Sequence, residues 1–181
     1  MIGLPLGLLY ENAGEWLVHR YVLHGLGKRP ESYWSFHWRG HHRACRKLDF
    51  YDPDYEQPAF AGPLLTPQRK ETLGLLAAAV AHAPLLPVAP WFSAGFYYGL
   101  VRYYRVHKRA HLDPEWARAH VPWHYDHHMG PNQDANWCVT RPWFDYVMGT
   151  RVPYLGTARE RADRARRAGL RRHAPDTTSS A

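Results

Sequence analysis

Phe36-His37-Trp38-Arg39-Gly40-His41-His42 holds three imidazoles in seven residues, and one regular conformation lets them act together. On a helix each residue turns by about 100°, so His37 and His41 point the same way, one turn apart. His42 diverges from His41 by about 100°, which suits two neighbouring ions better than one. Related patterns recur at His19 and His24 (H-x4-H), at His107 and His111 (H-x3-H), and at His124, His127 and His128 (H-x2-HH). Imidazole is the commonest transition-metal ligand, and ten of them exceed what one ion takes. The pattern predicts an all-α chain: a compact helical bundle with a histidine-lined pocket for two metal ions. The expected ligands are His19, His24, His37, His41, His42, His107, His111, His124, His127 and His128. Imidazole-rich sets suit iron, copper and zinc alike.

A length of 181 residues fits one domain with a real core. Trp16, Trp34, Trp38, Tyr103, Tyr104 and Trp123 alternate with the histidines. Such aromatics imply packed helices rather than a disordered metal-storage tract. His82, His120 and His173 stand outside the pattern and read as hydrogen-bonding residues.

The net charge is +7, and residues 159–172 carry seven arginines against Glu160 and Asp163. The body, residues 1–156, is therefore nearly balanced. A nucleic-acid binder carries its basic patch on the folded body, so nucleic acid is not an expected partner. Residues 157–181 read as a basic tail, partly helical, solvated or drawn to anionic lipid, with disorder expected over 175–181. Cys45 and Cys138 are far apart and form no disulfide framework, which suits a reducing cytoplasm. Met1–Tyr10 is apolar but lacks a basic start, so a signal peptide is not expected.

Leu4 to His24 reads as a helix with Glu11, Glu15 and His19 on one face. Tyr33 to Arg46 reads as a second helix, and 49–67 as a loop by its Pro and Asp content. Leu73 to Val101 contains no Asp, Glu, Lys or Arg, but Pro84, Pro87 and Pro90 interrupt it. Proline breaks helices, so two helices are expected, near 70–83 and 91–110. This hairpin is either a membrane-inserted element or buried core. A helix from Glu115 to Met129, broken at Pro122, and a loop over 132–150 complete the reading.

Glu15–His24, Phe36–His42, His107–His111 and His124–His128 resemble the histidine boxes of the fatty acid hydroxylase/sterol desaturase superfamily. Asn136–Thr150 is similar to that family's closing stretch. The resemblance covers about residues 11–151. It implies a histidine-ligated pair of iron ions, with zinc as a possible substitute, that uses O2 and an external electron donor. It implies hydroxylation of an unactivated C–H bond, or desaturation, on a lipid-like or other apolar substrate. It also implies that Glu15, Asn136 and Asp145 orient ligand imidazoles from behind. The sequence has no flavin or dinucleotide motif and no iron–sulfur cysteine set. A separate electron-transfer protein, of ferredoxin or cytochrome b5 type, is therefore an expected partner. The expected location is the cytoplasm or the cytoplasmic face of a membrane. The contrasting expectation is a non-catalytic metal-binding protein.

Overall fold

The computed structural model describes residues 2–60 and 66–172. His173 and the segment 175–181 lie outside the described residues. All regular structure among the described residues is helical. Helix α1 (Gly3–Leu17) runs without a break into a π-helix, Val18–Leu26. A second π-helix, Phe36–His41, leads into α2 (His42–Lys47). Then follow α3 (Pro67–His82), α4 (Pro90–Leu112), α5 (Pro114–His120), α6 (Pro122–Met129), α7 (Trp143–Val147) and α8 (Ala158–Arg172).

The helix starts follow from sequence. Helices α3 to α6 each begin on proline, which has no N–H to leave unpaired in a first turn. Thr66 and Asp113 cap α3 and α5, their side chains accepting from the N–H groups of Arg69 and Trp116.

Helices α1 and α4 form the spine. Gly3 and Gly7 are four apart, as are Gly95 and Gly99, so each pair shares one face of its helix. A Cβ on Gly7 would lie 2.1 Å from the Phe92 carbonyl oxygen, and one on Gly95 would lie 2.2 Å from that of Leu4. The backbones touch, and only glycine permits that. Gly3 meets Trp91 and Phe92 while Gly99 meets Glu11, so the two helices run parallel. Helix α3 lies antiparallel to α4. Tyr97 donates to the Ala79 carbonyl near one end, and Gln68 donates to the Tyr104 hydroxyl near the other. These are the two helices expected near 70–83 and 91–110. No helix among the described residues is long and apolar enough to cross a membrane.

A core of Phe50, Ala110, Ala117, Val121, Tyr125, Met129 and Tyr154 lies at the other end of the spine, around α5 and α6. The arginine-rich stretch begins as α8, which docks through Arg118–Glu160 at 2.9 Å and Arg167–Asp49 at 3.3 Å.

Gly7→Leu forces the spine apart and should lower stability by about 2–4 kcal/mol. Gly14→Ala, with no atom within 4 Å of its new Cβ, should change stability by no more than about 1 kcal/mol. Thermal unfolding of the two variants checks this. A Gly7→Leu protein as stable as its parent would contradict the close approach.

Candidate metal centre

The ten patterned histidines are all buried, and they form two adjoining groups. His19, His24, His37, His42 and His127 make the first. His41, His107, His111 and His128 make the second, joined by His124, whose Nε2 lies 2.9 Å from that of His111. The rings of His42 and His128, one from each group, are 4.3 Å apart between centroids. His82 and His120 stand apart from both groups. Their Nδ1 atoms lie near the carbonyls of Ala78 and Trp116.

The backbone conformation decides the grouping. A straight α-helix would turn residues five apart away from each other by about 140°. The π-helix closes i→i+5 hydrogen bonds instead. Of the two π-helices, Val18–Leu26 carries both His19 and His24, and Phe36–His41 carries His37 and ends one residue before His42. His37 and His42 thus meet with Nε2 atoms 3.1 Å apart, and the rings of His19 and His24 lie 5.2 Å apart. The expected pairing of His37 with His41 is corrected accordingly: His37 joins His42, and His41 joins the second group. His107 with His111 and His124 with His128 keep the four-residue pairing, because α4 and α6 are regular α-helices. The adjacent doublets divide, with His42 and His127 in the first group and His41 and His128 in the second.

Proton positions follow from the outer hydrogen bonds. His19, His127 and His111 direct Nδ1 at the backbone carbonyls of Trp137 (2.6 Å), Ala135 (2.7 Å) and Phe50 (3.0 Å). A carbonyl only accepts, so each Nδ1 carries the proton and each Nε2 keeps a bare lone pair. Carboxylates do the same for three more rings. Asp52 receives His41 at 2.6 Å, Glu71 receives His107 at 2.9 Å, and Asp134 receives His24 at 3.2 Å. His42 is the exception: its Nδ1 accepts from the Gln133 amide nitrogen at 2.8 Å, so the neutral ring keeps its proton on Nε2. The inward nitrogens face one another. Nε2–Nε2 separations are 2.9 Å for His19–His37 and 3.1 Å for both His24–His42 and His42–His127. The Nε2 atoms of His41, His107 and His128 are buried with no hydrogen-bond partner.

Protonation does not relieve this crowding. Burial first, then neighbouring imidazoles, hold His19, His37, His42, His111, His124, His127 and His128 well below the usual value of 6.5. The inward lone pairs of His19, His24, His41, His107, His111 and His127, with the neutral rings beside them, are the donor set of a transition-metal cation. The spacing also fits. Metal–nitrogen bonds of about 2.1 Å set ligands about 3.0 Å apart at right angles and about 3.4 Å apart in a tetrahedron. The observed 2.9–3.1 Å pairs match right-angled coordination.

His41, Cys45 and Asp52 also lie together. Asp52 is occupied by the His41 Nδ1–H, and burial pushes the Cys45 thiol well above its usual range. This trio therefore supports His41 from behind.

Among the described residues, Glu15, Asn136 and Asp145 make no hydrogen bond to a histidine ring, so the expectation that they orient ligand imidazoles is corrected to a role in shaping the loop that carries Ala135 and Trp137. Glu15 accepts from the N–H groups of Val139 and Thr140 and from the Thr140 hydroxyl. Asp145 accepts from the N–H groups of Trp137 and Cys138 and from the Thr150 hydroxyl. Both shape the loop that presents the Trp137 carbonyl to His19. Asn136 sits between the two carbonyls that receive His127 and His19, at φ +60°. Asparagine tolerates this left-handed conformation better than most residues. Phe50, whose carbonyl receives His111, has φ +81°, an outlier for an aromatic residue. The direct ring partners Asp52, Glu71, Gln133 and Asp134 escaped the sequence reading. Three lie in loops, and Glu71 lies 36 positions from His107.

A cavity of about 510 Å³ reaches His19 and His37 from between α1, α3 and α4. Its walls are mostly apolar and include Leu17, Val18, Leu75, Ala78, Phe96 and Leu100. Glu11 also lines it. Burial, reinforced by Glu15, pushes the Glu11 carboxyl up to about 10, so it is neutral at physiological pH.

Comparisons of the chain with protein families, with curated proteins and with solved structures found no match.

Two outcomes follow from this geometry. Asn136→Ala loses the left-handed preference and the side-chain bonds to Val152. It should destabilise the protein by about 2–4 kcal/mol in denaturant unfolding. For the metal-free protein the folded-state values of His19, His37, His42, His111, His124, His127 and His128 lie below the unfolded value. Stability is thus full above about pH 6.5 and falls as pH drops below it, where only the unfolded chain takes up protons. Thermal melts in chelator from pH 8 to pH 5 should show that fall; a flat profile would contradict the buried neutral rings.

Proposed function

We propose that this chain is an O2-dependent oxygenase that hydroxylates an unactivated C–H bond of an apolar substrate, using two iron ions held by the two histidine groups. The single observation that carries the reading is the convergence of bare Nε2 lone pairs in two adjoining buried groups, with Nδ1–H groups anchored outward. The first group offers five nitrogens and the second four, with His124 beside His111, a larger imidazole set than a single structural ion needs. A structural zinc would take four donors in a tetrahedron. Iron at such a centre supplies two-electron chemistry with O2 and external reductant. The resemblance of the histidine boxes to the fatty acid hydroxylase/sterol desaturase superfamily supports the same reading.

The chain's own residues supply the rest. His19 and His37 belong to the first group and also line the cavity, so a substrate carbon in the cavity lies against that group. The apolar walls exclude water and select an apolar chain or ring. The neutral Glu11 carboxyl offers one hydrogen-bond donor inside those walls, which suits a substrate with a lone hydroxyl or carbonyl rather than an anion. Asp52, Glu71 and Asp134 fix the His41, His107 and His24 rings and raise their basicity toward a cation. Electrons come from a separate protein of ferredoxin or cytochrome b5 type. Desaturation would use the same residues and differ only in the fate of the substrate radical.

Anaerobically loaded protein should hold about two irons per chain and consume O2 with reductant. His42→Ala and His111→Ala, one from each group, should each lose at least one ion's worth of iron and nearly all O2 uptake. Metal analysis and oxygen-electrode traces decide. Full metal content in both variants would refute the ligand assignment. Two irons without O2 uptake would instead favour a metal-binding protein.

A further inference from the structure

Charge is missing from one end of this bundle. Residues 1–10 and 73–101 contain no Asp, Glu, Lys or Arg. The fold brings both stretches to the same end. Helices α1 and α4 start there side by side, and α3 finishes there, where Tyr97 reaches Ala79. The end leaves its apolar side chains uncovered. Val80, Leu86, Val88, Trp91, Tyr98 and Val101 are between 48 % and 74 % exposed. Leu4, Leu6 and Leu9 on α1 are exposed as well. A contiguous apolar surface of this kind marks a partner or a membrane.

The depth of the surface identifies the occupant. Residues 90–101 of α4 span about 18 Å at 1.5 Å per residue. Half of a bilayer's hydrocarbon core is about 15 Å. The tip satisfies part of its own backbone. Pro84, Pro87 and Pro90 have no N–H to satisfy. The N–H groups of Leu86, Ala89 and Ser93 are bonded within the chain, to the carbonyls of Ala83, Leu85 and Ala89. Charge returns where this depth ends, and it is basic: exposed Arg105 on α4, with half-buried Arg102, which donates to the Thr140 carbonyl, and half-buried Lys70 on α3, whose ammonium lies over the Tyr33 and Phe36 rings. The acids at that level are turned inward. Glu11 and Glu15 are buried, and Glu71 holds His107. A basic band above an apolar tip complements anionic headgroups. The glycine faces joining α1 to α4 are of the kind that holds helices together in an apolar medium.

We infer that the charge-free end inserts into one leaflet of an anionic phospholipid bilayer, down from the band of Lys70, Arg102 and Arg105, without crossing the bilayer. The cavity lies between α1 and α3, bridged by the Tyr10 hydroxyl and the His82 ring at 3.0 Å. Its walls at Tyr10, Ala78 and Phe96 belong to the inserted end. An apolar substrate therefore reaches His19 and His37 from the leaflet without passing through water; this step alone rests on the oxygenase reading.

The test uses the full chain and sealed vesicles of phosphatidylcholine and phosphatidylglycerol. The native chain should float with the vesicles. Joint Val88→Glu and Trp91→Glu substitution should cut the floated fraction at least about tenfold, with helical circular dichroism unchanged. Val88→Cys adds one exposed thiol to a chain whose Cys45 and Cys138 are buried. An impermeant maleimide should label it in lipid-free monomer. On vesicles it should be labelled neither from outside nor by reagent sealed within. Labelling of floated protein from outside would show the tip in water, and labelling from within would show a span; either overturns the inference, as does a native chain that fails to float. Protection of Val88→Cys in a lipid-free dimer would assign the surface to a second copy and also overturn it. None of these readouts depends on metal or turnover, so failure here and failure of the oxygenase reading are distinguishable.

Discussion

Bare imidazole lone pairs buried away from water need a proton or a cation, and the centre of this bundle turns those of His19, His127 and His111 onto neighbouring rings about 3 Å away, in the pairs His19–His37, His42–His127 and His111–His124. Nothing local favours the arrangement. It is imposed from outside by acceptors that take the proton on the far nitrogen: the carbonyls of Phe50, Ala135 and Trp137, and the carboxylates of Asp52, Glu71 and Asp134. The rest of the molecule follows from keeping those acceptors in place. The loop after α2 delivers Asp52 and Phe50, α3 delivers Glu71, and the loop before α7 delivers the others. A cation between the inward nitrogens would bind the lone pairs that these acceptors expose, which is why the fold and the proposed chemistry are one problem.

Strain is concentrated where the acceptors are made. Phe50 and Asn136 both have left-handed backbones, and each adjoins or supplies a carbonyl that receives a histidine. Glu15 and Asp145 then accept from the N–H groups and hydroxyls of the same loop. Buried carboxylates are expensive unless satisfied. These are satisfied by the chain that the centre needs held still. The two π-helices belong to the same economy of shape. Each widens the helix so that histidines five apart can share one group.

The bundle is also polarised along its length. Parallel α1 and α4 carry glycines and exposed apolar residues at their starts. The histidines lie toward the far end, His107 and His111 on α4 and His19 and His24 on the π-helix that continues α1. The cavity joins the two regions, with Glu11 between them. A helix that must be apolar at one end and ligand-bearing at the other cannot show a simple amphipathic stripe. This explains why the uncharged stretch 73–101 admitted two readings in sequence.

Much of this was legible in the chain. Histidine spacing and interleaved aromatics pointed to packed helices, and Pro84, Pro87 and Pro90 marked the break between α3 and α4, because such signals act within a few residues. The ten histidines were visible as a set for the same reason. Their division was not. Whether His37 meets His41 or His42 depends on whether the helix closes its hydrogen bonds over four residues or five, and surrounding contacts decide that. Asp52, Glu71, Gln133 and Asp134 carried no mark distinguishing them from solvated polar residues, and Glu15, Asn136 and Asp145 looked closer to the rings than they are. A side chain's partner across tens of positions is set only when the helices pack, since it is packing that brings an acceptor within 3 Å of one particular nitrogen.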